Sequence, residues 1–187
     1  MENIITREYA FKTLNKYTSN KNLVKHAMAV EAVMKHFANL YNEDTEKWGI
    51  VGLIHDIDYE MYPDQHCIKC VDILKENGFN DNYIHAVQSH GYNICTDIKP
   101  EHKMEVVLYT IDELTGLITA IALMKPNKSL AEVDLASVNK KWKQVKFAAG
   151  VRRDLIEAGT NMLGEELDYV ITETIKGMQS ISNELGL

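Results

Sequence analysis

An all-α chain is predicted, on two observations. Apolar residues recur at helical rather than alternating spacing along nearly every segment, and only three prolines and ten glycines interrupt 187 residues. Residues 5–18 read as a first helix, ending in the polar run Thr18-Ser19-Asn20. In residues 21–41, Leu23, His26, Ala27, Val30, Val33, Met34 and Phe37 fall three or four apart, one stripe of a 3.6-residue period. Asp44 or Thr45 is placed to cap a third helix through Trp48, Ile50, Val51, Leu53 and Ile54.

Residues 58–64 read as a loop broken at Pro63. Short helices follow over 66–77, stopped by Gly78, and over 81–90, stopped by Gly91. After a loop at 91–100 the longest helix spans 101–124, ending before Pro126. Ser129 and Glu132 have capping-box spacing, and residues 136–148, 151–160 and 164–184 complete the helices. The length suits a single domain over residues 1–187, with the chemistry-bearing part over 20–126 and a helical extension over 127–187.

A net charge of −7 gives no general attraction for nucleic-acid polymers or anionic membranes. No stretch reads as the eighteen or so apolar residues that span a bilayer, and Met1 to Glu8 carry early acids instead of an apolar leader. Three cysteines make no disulfide framework, so reduced thiols in a cytoplasm are expected.

Polar residues lie where the pattern calls for apolar ones. His26 sits on its helix's apolar stripe, His55-Asp56 follow Ile50-Val51-Gly52-Leu53-Ile54, and Asp112 follows Val106-Val107-Leu108-Tyr109-Thr110-Ile111. A buried aspartate is costly unless something positive meets it. A lone histidine on such a face is more often a hydrogen-bonded core residue, Asp56 could cap a loop, and Asp112 could pair with a buried base. One divalent ion explains all four residues together, because it neutralises the carboxylates and takes neutral imidazoles as ligands.

The order His26, then His55-Asp56, then Asp112 resembles the HD superfamily of helical metal-dependent phosphohydrolases, whose doublet stands here in Leu53-Ile54-His55-Asp56-Ile57-Asp58-Tyr59. Lys146-Phe147-Ala148-Ala149-Gly150-Val151-Arg152-Arg153 looks like small bacterial members of that superfamily. The resemblance implies a helical hydrolase holding one or two ions of iron, manganese, cobalt, nickel or zinc. The substrate would be a nucleotide, dinucleotide or other small phosphoester. In dinuclear branches, such as diadenosine tetraphosphate hydrolases and cyclic-dinucleotide phosphodiesterases, two further histidines lie between the doublet and the last aspartate. His66 and His90 would then hold a second ion, with Asp56 bridging both. Asp58 or Glu60 would relay a proton or hold a ligating histidine. Two alternatives from other classes are a mixed-valence di-iron oxygenase on the same ligands, which Tyr59 near the site keeps open, and a non-catalytic metal-binding regulatory module.

His85 is placed away from the buried side, and His36 and His102 have no supporting pattern. Cys67-Ile68-Lys69-Cys70 reads as two small core residues on one helix, with no second C-x-x-C and no βαβ context. Cys95 stands alone in a loop. Lys140, Lys141, Lys143, Lys146, Arg152 and Arg153 are the only basic concentration, and a solvated face accounts for most such lysines. A phosphohydrolase also needs cations for phosphates, for which Lys125 and Arg152 are the candidates.

Overall fold

The computed structural model describes residues 5–187, and all its extended regular elements are helices. Residues 1–4, on which the expectation about a leader partly rests, lie outside the described residues. Helix α1 (Arg7–Tyr17) is capped by Thr6, whose hydroxyl accepts from Tyr9 N. Asn20 caps α2 (Lys21–Tyr41), which ends on Asn42 in the left-handed region at φ 56°. Asp44, one of the two expected residues, caps α3 (Thr45–Ile54) by accepting from Glu46 N and Lys47 N. Every residue from Trp48 to Ile54 is buried, so beyond its first turn α3 is apolar all round and lies inside the molecule.

The next segment departs from expectation. Pro63–Gln65 forms a 3-10 turn, His66 is extended at ψ 139°, and Cys67 takes φ 62° before α4 (Cys70–Glu76) starts. His66 therefore does not open a helix, and Cys67 and Cys70 do not share one, although both thiols are buried. Helix α5 (Asp81–Ser89) ends at His90. Helix α6 (Lys103–Leu123) starts with a capping box between His102 and Glu105.

Ser129 caps only the 3-10 turn Leu130–Glu132, while the Glu132 carboxylate accepts from Asn127 N, so the expected capping box is not formed. Helix α7 (Leu135–Trp142) is shorter than predicted. The chain then turns until α8 (Arg153–Leu163), because the Arg153 guanidinium donates to the carbonyls of Trp142, Phe147 and Val151 and gathers the loop. Gly164 ends α8 at φ 70°, and α9 (Leu167–Gln179) and the single turn α10 (Ser182–Leu185) follow.

Helix α2 packs on α3, α6 and α9, and α6 also receives α5 and α8, so these two long helices form the frame. By length and composition α6 is apolar enough to cross a bilayer, which the sequence reading missed because Asp112 and Glu113 interrupt its apolar run. Two-thirds of its apolar window is buried within the bundle. One core cluster joins α2 and α6 to α9, and a second joins α1, α3, α4 and α5. The polar anomalies of the sequence meet where α2, the end of α3, the end of α5 and the middle of α6 converge.

Candidate metal centre

Six side chains from five separate segments converge on one point. His26 comes from the second turn of α2, His55-Asp56 from the end of α3, His66 from the extended residue after the 3-10 turn, His90 from the end of α5 and Asp112 from mid-α6. His26 Nε2 is 2.9 Å from Asp112 Oδ1. His55 Nε2 is 3.3 Å from both Asp56 Oδ2 and Asp112 Oδ1. On the other side, His66 Nε2 and His90 Nε2 each lie 3.5 Å from Asp56 Oδ1. The two oxygens of Asp56 thus face two different pairs of imidazoles.

The far nitrogen of each ring settles its orientation. His55 Nδ1 donates to the Gly52 carbonyl at 2.8 Å, His90 Nδ1 to the Val87 carbonyl, and His66 Nδ1 to the Asp58 carboxylate at 2.8 Å. Those oxygens only accept, so the protons of the neutral rings sit on Nδ1 and bare Nε2 lone pairs point inward. His26 is held more loosely, its Nδ1 being 3.5 Å from Thr115 Oγ1. Lone pairs facing carboxylate oxygens repel unless a cation, either a proton or a metal, lies between them. His55 Nε2 is fully buried and has no hydrogen-bond partner, so its lone pair is available to a cation.

The electrostatics favour positive charge at the same point, whether a proton or a metal supplies it. Burial alone would make His55 less basic, but the Asp56 and Asp112 carboxylates outweigh it and raise its pKa well above the ordinary imidazole range. Burial likewise favours the neutral acids, and His55 reverses this, with His90 for Asp56 and His26 for Asp112, holding both carboxyls below their usual range. For His66, burial is overcome by its hydrogen bond to Asp58 and by the Asp56 charge, and the pKa rises. Three overlapping sets have donor atoms close enough to hold an ion: His26, His55 and Asp112; His55, Asp56 and His90; and His66, Cys67 and His90. Imidazole nitrogen with carboxylate oxygen suits divalent transition metals.

Asp58 is wholly buried behind His66, accepting its proton and also Cys70 N at 2.7 Å. Glu60 is not at the centre. Its carboxylate accepts from Ser19 N, Ser19 Oγ and Asn20 N, tying down the α1–α2 connection. Asp112 lies eleven residues before the end of α6 at Leu123, about 16 Å along the axis at the α-helical rise, and Lys125 lies beyond that end. The Arg152 guanidinium pairs with Asp154 and is half exposed, while its backbone N–H donates to Glu113. His36 pairs with Glu173, His85 with Glu105, and His102 caps α6.

The centre opens into a cavity of about 320 Å³, with Leu23, Tyr59, Ile94, Cys95 and Glu113 among its walls. Sequence reasoning missed Glu113, whose carboxyl burial pushes above the usual range. Its adjacency to Asp112 was the available signal. Cys67 was also missed, its sulfur lying 3.9 Å from the His90 ring nitrogens. Its left-handed backbone leaves no mark in a sequence. Family models, curated proteins and solved structures give no match to this chain.

Proposed function

We propose that the protein is a metal-dependent hydrolase acting on a small phosphoester, the activity implied by its resemblance to the HD superfamily. The observation that carries this reading is Asp56, whose Oδ2 lies toward His55 and His26 and whose Oδ1 lies toward His66 and His90. His26, His55, Asp56 and Asp112 would hold one divalent ion, and Asp56, His66 and His90 a second. Such ions supply an acidified water at neutral pH and charge stabilisation for phosphoryl oxygens.

The remaining work falls to the chain itself. The Gly52 and Val87 carbonyls and Asp58 keep three rings in the tautomer that presents Nε2. Glu113, with its raised pKa and its place in the cavity wall, can carry a proton to a leaving oxygen. Glu60, Lys125 and Arg152 have no part in this account.

A second reading, a di-iron oxygenase, is favoured by Tyr59, whose ring stands edge-on to His66 at 5.2 Å in the same cavity. One experiment separates the two. Protein purified without added metal is analysed for elements, then assayed for phosphate release from p-nitrophenyl phosphate and a dinucleotide panel, with oxygen consumption recorded. Bound divalent metal with phosphate release and no oxygen uptake is expected. Iron with oxygen uptake and no phosphate release would overturn the hydrolase, and metal-free protein after reconstitution attempts would remove both readings.

A further inference from the structure

A groove of about 420 Å³ runs between α2 and α6 beside the metal centre, a volume suited to a small organic ligand. Asn22, Lys25 and Ala29 form one wall, Gly116, Thr119 and Leu123 the other, and residues 185–187 close its end. It adjoins the cavity at the candidate metal centre, since His26 and Gly116 line both. A molecule in the groove therefore has one end against a candidate metal ligand.

Two features suggest what it takes. Lys25 Nζ donates to the Leu185 carbonyl at 2.6 Å and has no carboxylate partner among the described residues, in a chain of net charge −7. Its positive charge and remaining donors are available to an anion. Gly116 is the second. Gly52, Gly159 and Gly177 lie where helices touch, and an added Cβ would meet a neighbour's backbone at 3.0, 3.0 and 2.9 Å respectively. A Cβ at Gly116 would meet nothing within 4 Å. Helix packing does not require this glycine, which is unfavourable inside a helix. Its missing side chain leaves space unfilled where the groove and the cavity adjoin.

We propose that this groove binds the organic body of a small phosphate compound carrying a second negative group, with that group on Lys25 and the phosphoryl end beside His26. This deepens the phosphohydrolase reading and rests on it for the orientation of the phosphoryl end.

The test uses metal-loaded protein and non-hydrolysable probes. Methylphosphonate is compared by calorimetric titration with a series of ω-phosphonocarboxylates of two to four carbons. At least one member of the series should bind about tenfold or more tighter than methylphosphonate, the scale of one added charge-assisted contact. Lys25→Gln should erase that advantage and leave methylphosphonate binding unchanged. Gly116→Leu should also erase it, with metal content unchanged and Tm unchanged or raised. The proposal is overturned if no carboxylate-bearing probe gains over methylphosphonate, or if the gain survives Lys25→Gln. A Lys25-dependent gain in a protein that hydrolyses no phosphoester would leave the groove assigned and remove the hydrolase. If none of the phosphonates binds, both fall.

Discussion

Asp58 holds His66 through one carboxylate oxygen at 2.8 Å and the first backbone N–H of α4, at Cys70, through the other at 2.7 Å. One buried carboxylate thus fixes a candidate ligand's ring and the start of the helix that follows it. Asp58→Asn keeps the shape but turns one acceptor into a donor facing a donor. Metal affinity should fall about 10- to 100-fold, the usual consequence of disturbing a ligating histidine's partner. Stability should fall by about 1–3 kcal/mol, because a buried N–H is left unsatisfied. Competitive titration against a chelating dye and urea denaturation measure the two, and unchanged affinity would show that His66 does not ligate.

Asp56 and His66 separate one ion from two. Asp56 is the only carboxylate with an oxygen toward each imidazole pair among the described residues, so Asp56→Ala should remove bound metal altogether while far-UV circular dichroism stays helical. His66→Ala removes a donor from one side only and should leave the ion held by His26, His55, Asp56 and Asp112. Elemental analysis of the purified variants reads this directly. Equal metal content in wild type and His66→Ala would mean a mononuclear centre.

What the sequence disclosed depended on how local the cause was. Helices α2 and α6 were legible because each carries a long apolar stripe, and α3 because Asp44 caps a fully apolar run. His26, His55, Asp56 and Asp112 stood out as polar residues on faces that had to be buried. The segment at 63–69 was not legible, since Cys67 at φ 62° breaks the preference of side-chain-bearing residues for negative φ. The end of α7 was hidden for another reason: the loop after it is gathered by Arg153 from the far side. Charge picks out Lys125, just beyond the helix of Asp112, and Arg152, but it does not say which way either side chain points. Lys25 went unnoticed because its groove exists only once residues 185–187 fold back against α2.

Cys95 should be the reactive thiol. The Cys67 and Cys95 sulfurs both lie 2.5 Å from where a Cβ on Gly91 would stand, so they flank the same glycine. The Cys67 thiol on the other side of Gly91, with the charges of His66 and His90, favours the Cys95 thiolate and brings its pKa down to about 6. The thiolate is the nucleophile, so in metal-free protein alkylation by iodoacetamide should rise as pH increases through about 6 and level off by neutrality. Cys67 and Cys70 are buried and their thiols are pushed up, so they should stay unmodified in the folded state. Peptide mapping across a pH series checks both statements. A midpoint above about 8, as for a free thiol, would show that Cys67 and the two histidines do not stabilise the Cys95 thiolate.

Gly159 tests how closely α8 approaches α6. Replacing a mid-helix glycine by alanine ordinarily gains roughly 0.5–1 kcal/mol. Here the new methyl would run into Thr110 Oγ1 and stand 3.0 Å from the Thr110 main chain. The hydroxyl cannot easily swing aside, because it donates to the Val106 carbonyl at 2.6 Å within α6, and relieving the clash with the main chain requires the helices to separate. Overpacking of this kind costs about 1–3 kcal/mol, which exceeds the propensity gain. Gly159→Ala should therefore lower stability. Thr110→Ala introduced with it should recover only part of the loss, since it removes the hydroxyl while the α6 main chain stays equally close. Denaturant melts of the single and double variants measure the coupling. A single variant more stable than wild type would mean that α8 and α6 are not held at this separation.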